Sequence, residues 1–391
     1  MTLPVILLLV CLSVPASAQV SPAEGSLLWT YTADNSIAGV ATTPDASLTV
    51  AITTEAGVYA FSRTGGVLWN YPVGKRMTAL ALAPDGSRIA VGTFDGLTLL
   101  AGDGSLLWKK PIGSDVNGVG ISSGGEEIAV ASSDRLLRLL GPDGSLLWSY
   151  TANGAMTSAA ISADGSRVVA GSQDYRVYLL NGAGTLLWSY TTGGKIQALA
   201  ISADGTSVVA ASSDNTVYLL DGTGRLVWRR SFTLAPLSVA VSADGTAIAV
   251  GSADYKVSVF DVTGQNTFSA IFDGTVNGVS LSSAGRYLTA GTSRNLVYEY
   301  GFLPQTPVVT PSPTPTATSP PVWNTTPVTS LPVTTTLPVT LPPTETTPVA
   351  VTQTPGPLPP VGSPLFILVV AGILIGVAAL VIAGIHFFRK R

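Results

Sequence analysis

The chain has 391 residues, of which 46% are hydrophobic and only 11% charged, and its formal net charge is −3. Its one cysteine, Cys11, and its one histidine, His386, lie near opposite ends, so disulfide frameworks, thiolate metal sites and histidine-based catalysis are excluded from everything between them. Residues 19–302 hold 17 Lys+Arg against 22 Asp+Glu with no basic run, which lacks the electrostatic footprint that nucleic-acid binding requires.

Residues 1–18 carry no side-chain charge. An apolar run over 3–14 is followed by Ala16-Ser17-Ala18, a small-x-small cleavage site before Gln19, so 1–18 is predicted to be a secretory signal peptide. Its removal would leave a mature chain without a thiol.

Tryptophans then stand at 29, 69, 108, 148, 188 and 228, and Phe268 keeps the same step of about 40 residues, the mark of a repeat architecture. A glycine precedes each aromatic by four residues: Gly25, Gly65, Gly104, Gly144, Gly184, Gly224 and Gly264. Within one repeat, 155–194, four short apolar runs are separated by turn signals: MTSAAISADG, SRVVAGSQD, YRVYLLNGAG and TLLWSY. Such β-branched and aromatic runs bounded by Gly, Asp, Asn and Ser read as strands, and four per repeat is the spacing of a propeller blade. The run VYLL (177–180) is apolar on both faces, as expected of a sheet covered on both sides. The tryptophans, at fixed phase, are expected to pack blade against blade from an inner strand.

Two turns recur with the same period. One holds Asp45, Asp85, Asp164, Asp204 and Asp244, with Gly124 and Ala284 in the same phase; the other holds Asp95, Asp134, Asp174, Asp214 and Asp254, with Arg294 last. An Asp carboxylate accepts a hydrogen bond from a backbone N–H two residues on, so turn chemistry accounts for its recurrence. Seven fourth strands and seven sets of three strands are counted, but the first fourth strand (26–31) precedes every set and the last set (275–300) has none after it. The N-terminal strand is therefore expected to complete the C-terminal blade, leaving no long open edge. The predicted fold is an all-β, seven-bladed β-propeller over 19–302.

These residues carry two resemblances. LDGTGRLVW (220–228) is similar to the tryptophan-docking repeat of quinoprotein dehydrogenases, one residue shorter. The 40-residue period and the ISADGS turns resemble WD-repeat propellers, without that family's Trp-Asp dipeptide or Gly-His pair. The first resemblance implies a propeller and, as an alternative function, a quinone (PQQ)-dependent dehydrogenase. Such enzymes have eight blades, adjacent cysteines against the cofactor and calcium-binding acidic groups, whereas this chain has seven beats and no cysteine after the signal.

Beyond the propeller, 303–363 is rich in Pro and Thr, with 17 of each between 304 and 362; it cannot build a core and reads as an extended stalk of the mucin-like kind. Asn324 begins its N-x-Ser/Thr sequon and is a glycosylation candidate. The segment 364–388 is predicted to be one transmembrane helix, because its 24 residues from 365 to 388 carry no acidic side chain, Lys or Arg, and at about 1.5 Å per residue they exceed the bilayer core. Residues 389–391, Arg-Lys-Arg, form the basic cytoplasmic tail. Gly372 and Gly376 make a GxxxG pair that suits a weak helix dimer. The protein is thus expected in the cell membrane as a single-pass protein with its N-terminus and propeller outside.

No nucleophile elbow, zinc-binding His-Glu-x-x-His, Walker loop or calcium loop occurs, and no cofactor or metal is expected. The remaining candidate is one rim. The fourth-to-first and second-to-third strand turns share a propeller face, and here they carry Lys75, Arg76, Asp174, Tyr175, Arg176, Asp254, Tyr255 and Lys256, with Asp34, Asp115, Asp134, Arg135 and Lys195 nearby. Charges and tyrosines on the loops of a rigid scaffold suit the binding of an unknown protein or surface ligand. The expected role is a non-catalytic binding scaffold.

Overall fold

The computed structural model describes residues 25–55 and 57–302. The chain divides after Thr310 into two units, and all described residues fall in the first. The expected signal segment, stalk, Asn324, transmembrane segment with Gly372 and Gly376, and basic tail lie outside the described residues. Among the described residues no helix is long and apolar enough to cross a membrane.

The 28 strands among the described residues form seven four-stranded antiparallel sheets. Six of them, blades 1 to 6, use four consecutive strands each, within 37–71, 77–111, 116–151, 156–191, 196–231 and 236–271. In blade 4 these are Met156–Ile161, Arg167–Ser172, Arg176–Asn181 and Leu186–Thr191. Blade 7 takes three strands, Val276–Leu281, Tyr287–Thr292 and Leu296–Phe302, and is completed by the N-terminal strand Gly25–Thr32. That strand pairs antiparallel with Leu296–Phe302, from Gly25 opposite Phe302 to Thr32 opposite Leu296. The ring is closed by hydrogen bonds between the two ends of the propeller, as the orphan strand in the sequence required.

The first strand of every blade lines the central channel. The second and third strands are covered on both faces: Val177, Tyr178, Leu179 and Leu180 are all 4% exposed or less. Apolar clusters fill the seven seams between blades, for example Leu137 and Leu139 of blade 3 against Met156 and Val168 of blade 4. The fourth strands are outermost. Each full blade has a bulge there, as between the pairs Leu179–Trp188 and Leu180–Leu186, which leaves Leu187 exposed. Bulges twist an edge strand and hinder its pairing with another chain.

The expected inner position of the tryptophans is corrected by this arrangement. They sit on the outer strand, most of them half-buried, and reach across the seam to the next blade. Trp29, Trp69, Trp108, Trp148, Trp188 and Trp228 donate from Nε1 to the carbonyl oxygens of Arg63, Gly102, Pro142, Gly182, Gly222 and Val262, at 2.8–3.1 Å. The indole lies on a glycine of that next turn: a Cβ on Gly65, Gly104, Gly184 or Gly224 would come within 2.6–2.8 Å of it. The glycine four residues before each tryptophan therefore serves the tryptophan of the preceding blade. Phe268 makes the same contact across the closing seam, where a Cβ on Gly25 would meet its Cε2 at 2.7 Å. With no N–H to donate, Phe268 packs instead on Phe302 at 4.9 Å between ring centroids.

The seam between blades 7 and 1 packs aromatic rings, with Tyr31 4.8 Å and Trp29 5.4 Å from Phe61, and it also holds a buried carboxyl. Glu299 occupies the phase held elsewhere by Ala60, Leu99, Leu139, Leu179, Leu219 and Val259, and it is only 2% exposed. Its Oε2 lies 2.6 Å from the Thr289 hydroxyl, which donates to it, yet burial pushes the carboxyl up to about 7.

Candidate functional site

The two turn families share one face. Lys75, which follows the fourth strand of blade 1, pairs with Asp95 between the second and third strands of blade 2. The Gly193 N–H donates to Asp214 Oδ2 at 3.1 Å, and the Lys195 N–H to Ser213 Oγ at 2.9 Å.

In the second-to-third turns the residue after the aspartate, or after Arg294 in blade 7, adopts the left-handed conformation: Arg135 (φ 73°), Tyr175 (70°), Asn215 (62°), Tyr255 (68°) and Asn295 (65°). Asparagine enters this region readily, but a bulky side chain there is strained. Tyr175 and Tyr255 nevertheless occupy it, and the two residues are 45% and 50% exposed. The turn geometry aims them into solvent rather than into a core.

The aspartates of the rim are engaged by neighbouring groups, although Asp34 and Asp95 are themselves exposed. Asp174 accepts from the Arg176 N–H at 3.2 Å and from the Tyr178 hydroxyl at 2.6 Å. Burial first, and then that hydrogen bond to Asp174, push the Tyr178 phenol up. Asp254 accepts from the Ser252 hydroxyl, and Asp34 accepts from the Tyr59 hydroxyl at 2.9 Å. Burial would raise the Asp134 carboxyl, but hydrogen bonds from Arg138 and Ser132 outweigh it and hold it below the ordinary value. Asp95 is held low by the hydrogen bond from Lys75. These carboxylates anchor turns, and the rim also presents exposed aromatic and cationic side chains.

Of the other expected residues, Arg176 donates to Ser189 Oγ at 3.1 Å, and the Arg76 guanidinium lies 5.1 Å over the Phe94 ring. The Lys256 ammonium has no carboxylate within ion-pair distance among the described residues. Two rim residues were not expected: Phe94 (45% exposed) and Leu234 (47%). Phe94 lies one residue before the turn aspartate of blade 2. Leu234 lies in the turn before blade 6, next to Ala235, whose carbonyl accepts from the Ala253 N–H two residues before Tyr255. Both could have been found as apolar side chains in polar turns. Exposed apolar groups therefore stand on blade 2 (Phe94), blade 4 (Tyr175) and blade 6 (Leu234 and Tyr255).

The opposite face carries the mouth of the central channel, lined by small and apolar residues such as Leu82, Ile121, Ile161, Leu199, Ile201 and Leu281. These side chains give a polar quinone no charged partner. Among the described residues, moreover, no group of three His, Cys, Asp or Glu could hold a metal ion. The residues present do not fit the quinone-calcium centre that one resemblance implied.

Seven blades, a velcro-type closure and tryptophans docked on the glycine turn of the next blade define a PQQ-like β-propeller repeat protein. No curated protein matches the chain. The family described as outer membrane protein assembly factor BamB matches residues 54–212 and 176–298, which together cover more than half of the sequence, and the chain belongs to that family.

Proposed function

We propose that the protein is a non-catalytic binding scaffold, tethered to the membrane by its C-terminal segment, with the propeller outside the cell and the tyrosine-bearing rim as its docking surface. One observation carries this reading: Tyr175 and Tyr255 hold a strained backbone conformation while exposing their rings. Strained conformations in well-packed folds concentrate at functional positions. Tyrosine, arginine and exposed apolar groups also dominate the energetics of protein interfaces. A closed ring fixes the loops in relation to one another, so little ordering entropy is lost on binding. The family's description as an assembly factor is in keeping with a scaffold.

The test is capture of a partner from cell-surface material by the wild type and by a variant with Tyr175, Arg176, Tyr255 and Lys256 all changed to Ala. The variant should fold, because surface changes rarely exceed about 0.5 kcal/mol, and should lose the partner. Equal recovery by both proteins would place binding elsewhere. The tether has its own test. Protease added to intact cells should release a soluble propeller by cutting within 303–363, and full protection of the propeller would overturn the outward topology.

A further inference from the structure

The seam between blades 7 and 1 opens on the channel-mouth face as a cleft of about 480 Å³, lined by Pro44, Asp45, Arg63, Ser282, Ser283, Ala284, Arg286 and Tyr287. Two of these residues depart from the repeat in the same direction. In the turn after the first strand, the phase of Ala284 is aspartate in five blades, and the phase of Arg286 is Ser47, Ser87, Ser166, Thr206 and Thr246. Blade 3 also lacks the aspartate, with Gly124 there, but it carries Glu126 at the second position; blade 7 alone adds a guanidinium. In the turn after the third strand, the residue whose carbonyl accepts the tryptophan N–H is Gly102, Pro142, Gly182, Gly222 or Val262, but in blade 1 it is Arg63. Two unrelated turns, on different blades, thus each gain a cation, and the fold brings both to one cleft.

Neither cation is neutralised. The ion pairs among the described residues are Lys75–Asp95, Arg138–Asp134 and Arg225–Asp221. Arg63 is held in place from two sides. Its guanidinium carbon lies 5.6 Å from the centroid of the Tyr287 ring, and Nη2 donates to the Asp45 carbonyl. Stacking occupies the flat face of a guanidinium and leaves the other in-plane N–H groups free to fork an oxyanion. The floor of the cleft is fixed across the seam by the Ser283 N–H, which donates to the Pro44 carbonyl at 2.8 Å. The one carboxylate of the lining, Asp45, is committed to its own turn. It accepts from Thr43 Oγ1 at 2.7 Å and from the Ser47 N–H at 3.0 Å, and these bonds hold it down to about 2. Two guanidinium groups against one carboxylate leave the cleft with net positive charge on a protein that is acidic overall.

We infer that the cleft formed by Arg63, Arg286, Ser283 and Tyr287 is a binding site for a phosphate-type oxyanion, on the face opposite the tyrosine rim and independent of it. A dianionic phosphate satisfies both guanidinium groups and offers further acceptor oxygens to the serine hydroxyls.

The test is calorimetric titration of the full chain with inorganic phosphate at about 20 mM salt, where screening is weak. Saturable one-to-one binding is expected, weakened at least tenfold in Arg63→Gln/Arg286→Gln and unaltered in Arg167→Gln, a guanidinium on another blade. Both substituted side chains are exposed, and an unchanged melting curve certifies the fold of the double variant. Acetate should bind more weakly than phosphate. Parallel titrations with a sugar phosphomonoester and with phosphatidylglycerol vesicles separate a soluble phosphate ester from a lipid headgroup as the source. Binding from either source that the double variant loses supports the site. Phosphate that fails to saturate, or that binds the double variant equally well, overturns it.

Discussion

Trp188 and Gly224 form one joint divided between two blades. The Trp188 indole donates to the Gly222 carbonyl at 3.1 Å, and the Gly224 Cα lies so close under the ring that a Cβ would meet Cδ2 at 2.7 Å. Gly224 also has φ +85°, which side chains avoid. The local turn and the inter-blade contact thus demand the same residue.

Gly224→Ala should accordingly cost more than its backbone conformation alone accounts for. Gly74 provides the reference, since it has φ +74° with nothing within 4 Å of a built Cβ. Gly74→Ala should cost about 1 kcal/mol from conformation, and Gly224→Ala about 1–3 kcal/mol more from overpacking. Trp188→Ala should cost about 2–3 kcal/mol, below the range for fully buried tryptophan because the ring is half-buried. Urea denaturation of the three variants measures each. Equal losses for the two glycine variants would mean that the indole can move away at no cost.

Closure by the N-terminal strand makes the ring a single cooperative unit. Deleting residues 19–33 removes Trp29, Tyr31 and Ala33 from the cluster at the seam of blades 7 and 1, and it bares the edge of Leu296–Phe302. The truncated chain should unfold at a much lower temperature and associate through the open edge. A melting temperature equal to that of the intact chain would show that blade 7 holds without its fourth strand.

Glu299 gives the same seam a pH dependence. Its folded value of about 7 lies above the ordinary 4.5, so the folded state keeps the proton to higher pH than the unfolded chain does. The stability it confers is full below about pH 4.5 and is lost as pH rises through 7. Between pH 5 and pH 8 the wild type should lose about 2–3 kcal/mol relative to Glu299→Gln, which keeps the shape of the side chain and its bond to Thr289. Urea midpoints at the two pH values decide the matter; parallel changes in both proteins would refute a titrating Glu299.

The blade count, the strand order and the closure were legible in the sequence because they are written as a period, and a period survives any uncertainty about single residues. The partner of each tryptophan was not legible. Trp188 and Gly184 are neighbours in the text, whereas Trp188 and Gly224 are neighbours in space, and only the turn from one blade to the next exchanges them. The rim was half legible. Tyr175 and Tyr255 could be placed in turns, but the inward engagement of Asp174 depends on the hydroxyl of Tyr178, which reads simply as a strand residue. Phe94 and Leu234 carry no charge, so a reading of the loops by charge does not single them out. Arg63 and Arg286 are visible as departures from the repeat, but their convergence needs a closed ring, which brings blade 7 beside blade 1.

The strained tyrosines allow a prediction in which stability and binding move in opposite directions. Asn215 and Asn295 occupy the same phase of blades 5 and 7 with nearly the same φ, 62° and 65°. Asparagine is therefore compatible with this turn and is the less strained residue there. Tyr175→Asn and Tyr255→Asn should each raise stability by about 0.5–1 kcal/mol, since neither ring is packed in the core. The double variant should at the same time capture less of the partner, because both exposed rings are gone. This opposition is the signature of residues kept for binding at the expense of the fold. Denaturant midpoints and capture assays on the same preparations measure the two effects. Lower stability in the asparagine variants would show that the tyrosines serve the packing of the turn. Unchanged capture with higher stability would remove the tyrosines from the interface and leave the cationic groups Lys75, Arg76, Arg176 and Lys256 as what remains of the rim.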